Sequence, residues 1–201
     1  MKESREKIIL GIDPGTRILG FGIIRVVDKQ SPTFVHMGVV NLKNEKDHFL
    51  TLGKIMQQVS AIIDTYLPDE LAIEAPFYGK NPQVMLKLGR AQGAAIAAAL
   101  LKQIPIFEYA PRSIKLAVTG KGAASKQQVA NMAQNQLKIN IEQDYLDATD
   151  ALAIALCHYY HSSSPLAAFT ACSIKPKKSK SSSSWENFVS CNDERVIKNK
   201  K

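Results

Sequence analysis

The chain has 201 residues, 45% of them apolar and 22% charged, with a net charge of +8 and a pI near 9.4. That length suits one domain with an appendage and a full core. Three widely spaced cysteines, Cys157, Cys172 and Cys191, exclude a disulfide framework or a zinc site and suit a reducing cytosol. The apolar run after the charged N-terminus is too short for a signal peptide, and no segment reads as a bilayer span, so no membrane partner is expected. The positive charge favours a polyanionic partner. Residues 163–201 hold eight Lys and Arg against three Asp and Glu, and so carry most of the excess. Nucleic-acid binding by the rest must rest on local placement.

Ile8 to Asp13 (Ile-Ile-Leu-Gly-Ile-Asp) reads as a strand apolar on both faces, as at the centre of a sheet, ended by a Pro14-Gly15 turn. Asp13 is out of keeping there. Either it caps the turn or it holds something positive. Ile18–Val27 and Thr33–Leu42 read as second and third strands, joined by short connections into an antiparallel meander. Asp47–Tyr66 reads as a helix. Phe49, Leu52, Met56, Val59, Ile63 and Tyr66 form its expected apolar stripe, and Pro68 stops it.

Glu70–Glu74 is a short strand and 75–81 a loop. Asn81-Pro82 starts a helix over Gln83–Gln103, rich in glycine and alanine. Small side chains admit a close neighbour, either its own sheet or a second subunit. Ile106–Tyr109 is a fifth strand. Pro111 opens a short helix that Gly120 and Gly122 close. Ser125 to Gln128 has capping-box spacing and opens the next helix. The last helix runs from about Tyr145 to Tyr160. The expected fold is α/β: a five-stranded mixed sheet, antiparallel meander then parallel strands, flanked by helices. Residues 1–162 form the folded domain, and 163–201 a basic Ser/Lys-rich disordered tail.

Four carboxylates stand where this fold can gather them. Asp13 ends the first strand and Glu74 the fourth, and sites in α/β sheets form beyond the carboxyl ends of strands. Asp147 and Asp150, three apart, share one face of an otherwise apolar helix. Alone, Asp147 reads as a favourable charge at a helix N-terminus. Together the four repel, and a divalent cation relieves them. All-oxygen ligation suits Mg²⁺ or Mn²⁺, and a pair of such ions makes a phosphoryl-transfer site.

Several strings resemble those of the RuvC Holliday-junction resolvases. They are Ile-Leu-Gly-Ile-Asp-Pro-Gly-Thr at Ile9–Thr16, Ala-Ile-Glu at Ala72–Glu74 and Leu-Lys-Leu-Gly at Leu86–Gly89. Phe-Glu-Tyr-Ala at Phe107–Ala110 and Asp-Ala-Thr-Asp-Ala-Leu-Ala-Ile-Ala at Asp147–Ala155 complete the set. They run collinearly from about Ile8 to His158. The resemblance implies an RNase H-like fold and a cytoplasmic, dimeric, Mg²⁺-dependent endonuclease of DNA recombination and repair. Such an enzyme cuts two opposed strands of a four-way DNA junction, leaving 5′-phosphates. By the same resemblance Asp13, Glu74, Asp147 and Asp150 are catalytic and hold two Mg²⁺ per subunit, with Mn²⁺ as a substitute. Phe77 stacks on junction bases, and Tyr78 shares or swaps that role. Lys115 and Lys126 lie near the scissile phosphate, with Arg112, Lys121 and Lys80 as further DNA contacts. The branch-migration proteins RuvA and RuvB are the implied partners. One departure is Ala75-Pro76 after Glu74, where the family commonly has Gln.

Three other readings compete. Asp-Pro-Gly-Thr at Asp13–Thr16 resembles the phosphate loop of actin-like ATPases, but those have two such halves and this chain has one. A junction-binding module without catalysis would not need all four acids. A different RNase H-like nuclease, acting on RNA or hybrids, is separated by comparing substrates.

Overall fold

The computed structural model describes residues 6–27, 30–45, 47–76, 81–140 and 146–163. Every expected element among them forms, with ends shifted by a few residues at most. The sheet contains β1 (Glu6–Asp13), β2 (Ile18–Val27), β3 (Thr33–Asn41), β4 (Glu70–Glu74) and β5 (Ile106–Tyr109). Their order is β3-β2-β1-β4-β5. β1–β2 and β2–β3 are antiparallel, while β1–β4 and β4–β5 are parallel. This is the mixed sheet the sequence predicts, with β1 at its centre. Ile9, Leu10 and Ile12 are fully buried there. Each stabilises the fold by about 1.5–3 kcal/mol relative to exposure.

Two helices cover one face: α1 (His48–Tyr66) and α2 (Pro82–Leu101). Asp47 caps α1 by accepting from the Phe49 amide at 3.0 Å, and Asn81 caps α2 by accepting from Gln83 and Val84. The buried face of α1 is Thr51, Ile55, Val59, Ile62 and Ile63. The expected stripe is therefore right at Val59 and Ile63 and wrong at Phe49, which is 72% exposed, and at Met56. Leu52 and Tyr66 pack at its margin. Apolar residues run on both sides of this helix, so spacing alone fits two phases. α2 stops at Leu101, because Gln103 turns into the left-handed region and the Ile104 amide returns to the Ala99 carbonyl. By length and composition alone α2 could cross a bilayer, although the sequence reading expects no such span; its hydropathy comes from leucine and alanine together, and 28% of that window is buried.

The other face carries α3 (Pro111–Thr119), α4 (Lys126–Leu137) and α5 (Leu146–Ser163). Ser125 and Gln128 close the expected capping box on α4. α5 is almost wholly buried from Ala148 to His158. It lies closer to the sheet than side chains normally permit. A Cβ on Gly11 would strike the Ala151 carbonyl, one on Gly20 the Asp147 carbonyl, and one on Gly22 the Leu152 backbone. Three glycines on one face of β1 and β2 thus open a trough in which the α5 backbone rests.

Candidate active site

Strand alternation fixes where the first two acids point. Ile9 and Gly11 on β1, and Ala72 on β4, face α5. Side chains two residues on share that face, so Asp13 and Glu74 do too. Their strands are parallel neighbours, with Ile12 opposite Ile73 one residue before. The two carboxyls hydrogen-bond to each other. The glycine trough lowers the first turn of α5 onto this strand end. Ligand oxygens of Asp13, Asp147 and Asp150 come within 4.8 Å of one another. Glu74 stands at the edge of this trio, bonded to Asp13 and repelled electrostatically by Asp150.

Electrostatics mark the cluster as crowded with negative charge. Burial, then Glu74 and Asp150, push the Asp13 carboxyl up to about 8. The Asp13 and Glu74 carboxyls share a proton in the hydrogen bond between them. Burial also raises Glu74 and Asp150, outweighing the hydrogen bond that each receives. Lys126, at the start of α4, supplies the counter-charge. Its Nζ is 2.9 Å from Asp147 Oδ1 and 2.7 Å from Asp150 Oδ2. Burial alone would lower this ammonium, but its bonds to Asp150 and Asp147 outweigh that and raise it. The cluster is therefore partly neutralised from within, where the sequence suggests only mutual repulsion.

A cleft of about 250 Å³ opens beside the acids, lined by Glu74, Asp150, Lys115, Lys126, Pro111 and Ile114 among others. Lys115 acts electrostatically on Glu74 and Asp150. Arg112 lies over Gly122 at the α3–α4 turn, and Lys121 is exposed in the same turn. Neither touches the acids. Phe77, Tyr78 and Lys80 lie outside the described residues. Asp13 does not cap the Pro14-Gly15 turn; its carboxyl faces Glu74.

Two contributors are missed by the sequence reading. The trough of Gly11, Gly20 and Gly22 brings α5 down; the alternation Gly20-Phe21-Gly22 is its only trace in the chain. Gln92, buried on α2, donates to the Glu74 carbonyl at 3.1 Å and to Glu108 at 2.5 Å, holding the end of β4. Its trace is that it is the only polar residue from Ala91 to Leu101.

Carboxylate oxygens converging from a strand end and a helix make a hard donor set. They fit Mg²⁺ or Mn²⁺, and there is no thiolate or imidazole among them to favour zinc. A mixed sheet of this order with such a cluster at its centre defines an RNase H-like nuclease. The comparisons narrow this. The family model for the crossover junction endodeoxyribonuclease RuvC matches residues 9–158. RuvC of Bacteroides fragilis is 50% identical over 194 residues, covering 96% of this chain and 97% of its own. RuvC of Porphyromonas gingivalis is 48% identical over 194 residues, covering 96% and 98%. The solved structure of Thermus thermophilus RuvC in complex with Holliday junction substrate is 30% identical. It matches with a TM-score of 0.72 over 78% of this chain and 94% of that one. The chain belongs to the RuvC family of crossover junction endodeoxyribonucleases.

Proposed function

We propose that this protein resolves four-way DNA junctions by paired, symmetric nicks. The observation that carries the reading is the convergence of Asp13, Asp147 and Asp150, with Glu74 bonded to Asp13, at one end of the sheet. Family membership supplies the junction as substrate, and the T. thermophilus relative is seen with that substrate.

In this reading all four acids hold divalent cations, two Mg²⁺ per subunit, with Mn²⁺ able to replace them. Bound there, the cations activate water and stabilise the leaving oxygen of the phosphodiester. Asp13 must lose the proton it shares with Glu74 when a cation binds. Lys126 must give up or share its oxygens on Asp147 and Asp150, which leaves its ammonium free to reach a phosphate. Lys115 lines the same cleft and faces the same phosphate. Arg112, Lys121 and Lys80 contact the backbone farther out, and Phe77, with Tyr78, stacks on bases at the crossover.

Two opposed cuts need two sites related by a two-fold axis, so the working form is a homodimer. The outer face of α2 supports this. A Cβ on Gly89 or Gly93 would meet nothing within 4 Å, and Leu86 and Leu100 are 57% and 60% exposed. The small residues of that face are thus unexplained by packing within the chain. RuvA and RuvB are the proposed partners, in the cytoplasm. The basic residues 163–201 add only non-specific DNA affinity.

A nicking assay with Mg²⁺ tests the reading. Four-way junctions should be cut in opposed pairs, in preference to linear duplex and to RNA–DNA hybrid. Equal cutting of hybrid would assign the chain to another activity of the fold.

A further inference from the structure

The acids sit on three elements, and those elements are tied together a second time at the far end of α5. His158 lies eight residues beyond Asp150, roughly 12 Å along the helix axis. It is 1% exposed. Its Nδ1 is 2.7 Å from the Tyr109 hydroxyl and its Nε2 is 2.6 Å from Glu70 Oε2. Lys7 Nζ donates to the other Glu70 oxygen at 2.7 Å. The Phe107 ring packs against the imidazole, with centroids 4.3 Å apart. Burial pushes the Glu70 carboxyl up, but the bonds from His158 and Lys7 outweigh it and hold it below its ordinary range. An ionised Glu70 only accepts, so Nε2 carries the hydrogen. In the neutral ring Nδ1 then accepts from Tyr109.

Each member of this network belongs to an element that carries or adjoins a site acid. Lys7 is on β1, which ends at Asp13. Glu70 opens β4, which ends at Glu74. Tyr109 is the register partner of Glu74 on β5. His158 shares α5 with Asp147 and Asp150. Between the two ends, α5 meets the sheet through Ala151, Ala155 and its own backbone over Gly11, Gly20 and Gly22, and through buried apolar side chains such as Leu152 and Leu156 that join Ile9 and Ile24 in one core. Such a surface permits close approach. Apolar contact is non-directional, whereas the two imidazole bonds fix distance and angle.

We propose that His158 is the positioning residue of the site: its bonds to Tyr109 and Glu70 set the axial register of α5. That register in turn sets the spacing of Asp147 and Asp150 from Asp13 and Glu74. The proposal rests on the reading of those acids as metal ligands. A slip of about 1 Å would cost on the order of 10²-fold in rate.

The test uses the full chain and Mn²⁺ alone, titrated calorimetrically without DNA. Junction binding in EDTA, melting temperature and the Mg²⁺ concentration for half-maximal nicking are measured alongside. Tyr109→Phe deletes one oxygen and keeps the ring. It should fold and bind junction as the wild type does, yet bind Mn²⁺ about 10-fold to 100-fold more weakly, as for other groups that orient metal ligands. Its Mg²⁺ requirement should rise in step. His158→Leu should be at least as impaired. His158→Gln, whose amide both accepts and donates, should recover part of the affinity. Wild-type Mn²⁺ affinity and Mg²⁺ requirement in folded Tyr109→Phe would overturn the proposal, even with a lowered melting temperature, because the network would then be merely structural. Wild-type Mn²⁺ affinity in Asp13→Asn would remove the metal-ligand reading itself, and the proposal with it.

Discussion

Asp13 carries opposite demands from folding and from function. In the metal-free protein, burial and then Glu74 and Asp150 push its carboxyl to about 8, whereas in an unfolded chain it titrates near about 3.9. Between those values the folded protein holds a proton that the unfolded chain has released. Stability in EDTA should therefore fall as pH rises through that window, opposite to the behaviour of a salt-bridged aspartate. Melting at about pH 5 and about pH 8 reads this out: the wild type should melt lower at the higher pH. Asp13→Asn should flatten the slope without abolishing it, since Glu74 and Asp150 are raised as well. A wild type more stable at the higher pH would contradict the burial argument. Lys126 gives a second prediction. Its ammonium bonds the same oxygens a cation would use. Lys126→Met should bind Mn²⁺ more tightly by calorimetry, yet nick junctions slower by about 10²-fold or more, as when a charge-stabilising donor is lost.

At the scale of elements, the seat of α5 on the sheet decides whether the acids meet. Gly22→Ala would drive a methyl against the Leu152 backbone and should destabilise the fold by about 1–3 kcal/mol in urea titration. Gly53→Ala on α1, where a Cβ meets nothing within 4 Å, should instead stabilise it by about 0.5–1 kcal/mol. Equal effects would mean that the trough is not tightly packed. The strands are legible in the chain because β-branched runs end at Pro14-Gly15 and at the polar stretch from Asp28 to Pro32. α4 is legible because Ser125 and Gln128 stand at capping-box spacing. The four acids are legible because each sits at the end of a strand or the head of a helix where burial makes a charge costly. What spacing cannot show is contact across the fold. Glu70 and His158 are 88 residues apart yet bonded, and the glycines matter only through a helix more than a hundred residues later. The phase of α1 is misread for a related reason: Phe49 and Met56 extend the apolar pattern without facing the sheet.

For the whole molecule, the proposed dimer predicts that Gly93→Leu weakens self-association more than folding, because the monomer has room for the side chain. Sedimentation analysis beside thermal melting would show this; paired cuts by a monomer would refute the symmetry argument. Truncation after Ser163, where α5 ends, should leave melting and junction nicking nearly unchanged and reduce DNA affinity modestly at low salt. Loss of fold on truncation would show that residues 164–201 belong to the domain. The central claim, that the clustered acids hold the catalytic metal, is tested most directly on Asp147→Asn and Asp150→Asn, by gel shift in EDTA paired with junction nicking in Mg²⁺. The amide keeps the shape and removes the charge a hard cation needs. The account predicts wild-type or tighter junction binding with nicking slowed by several powers of ten, each worth about 1.4 kcal/mol of transition-state stabilisation. Wild-type nicking by both variants would contradict it, leaving the two aspartates as no more than favourable charges at a helix N-terminus.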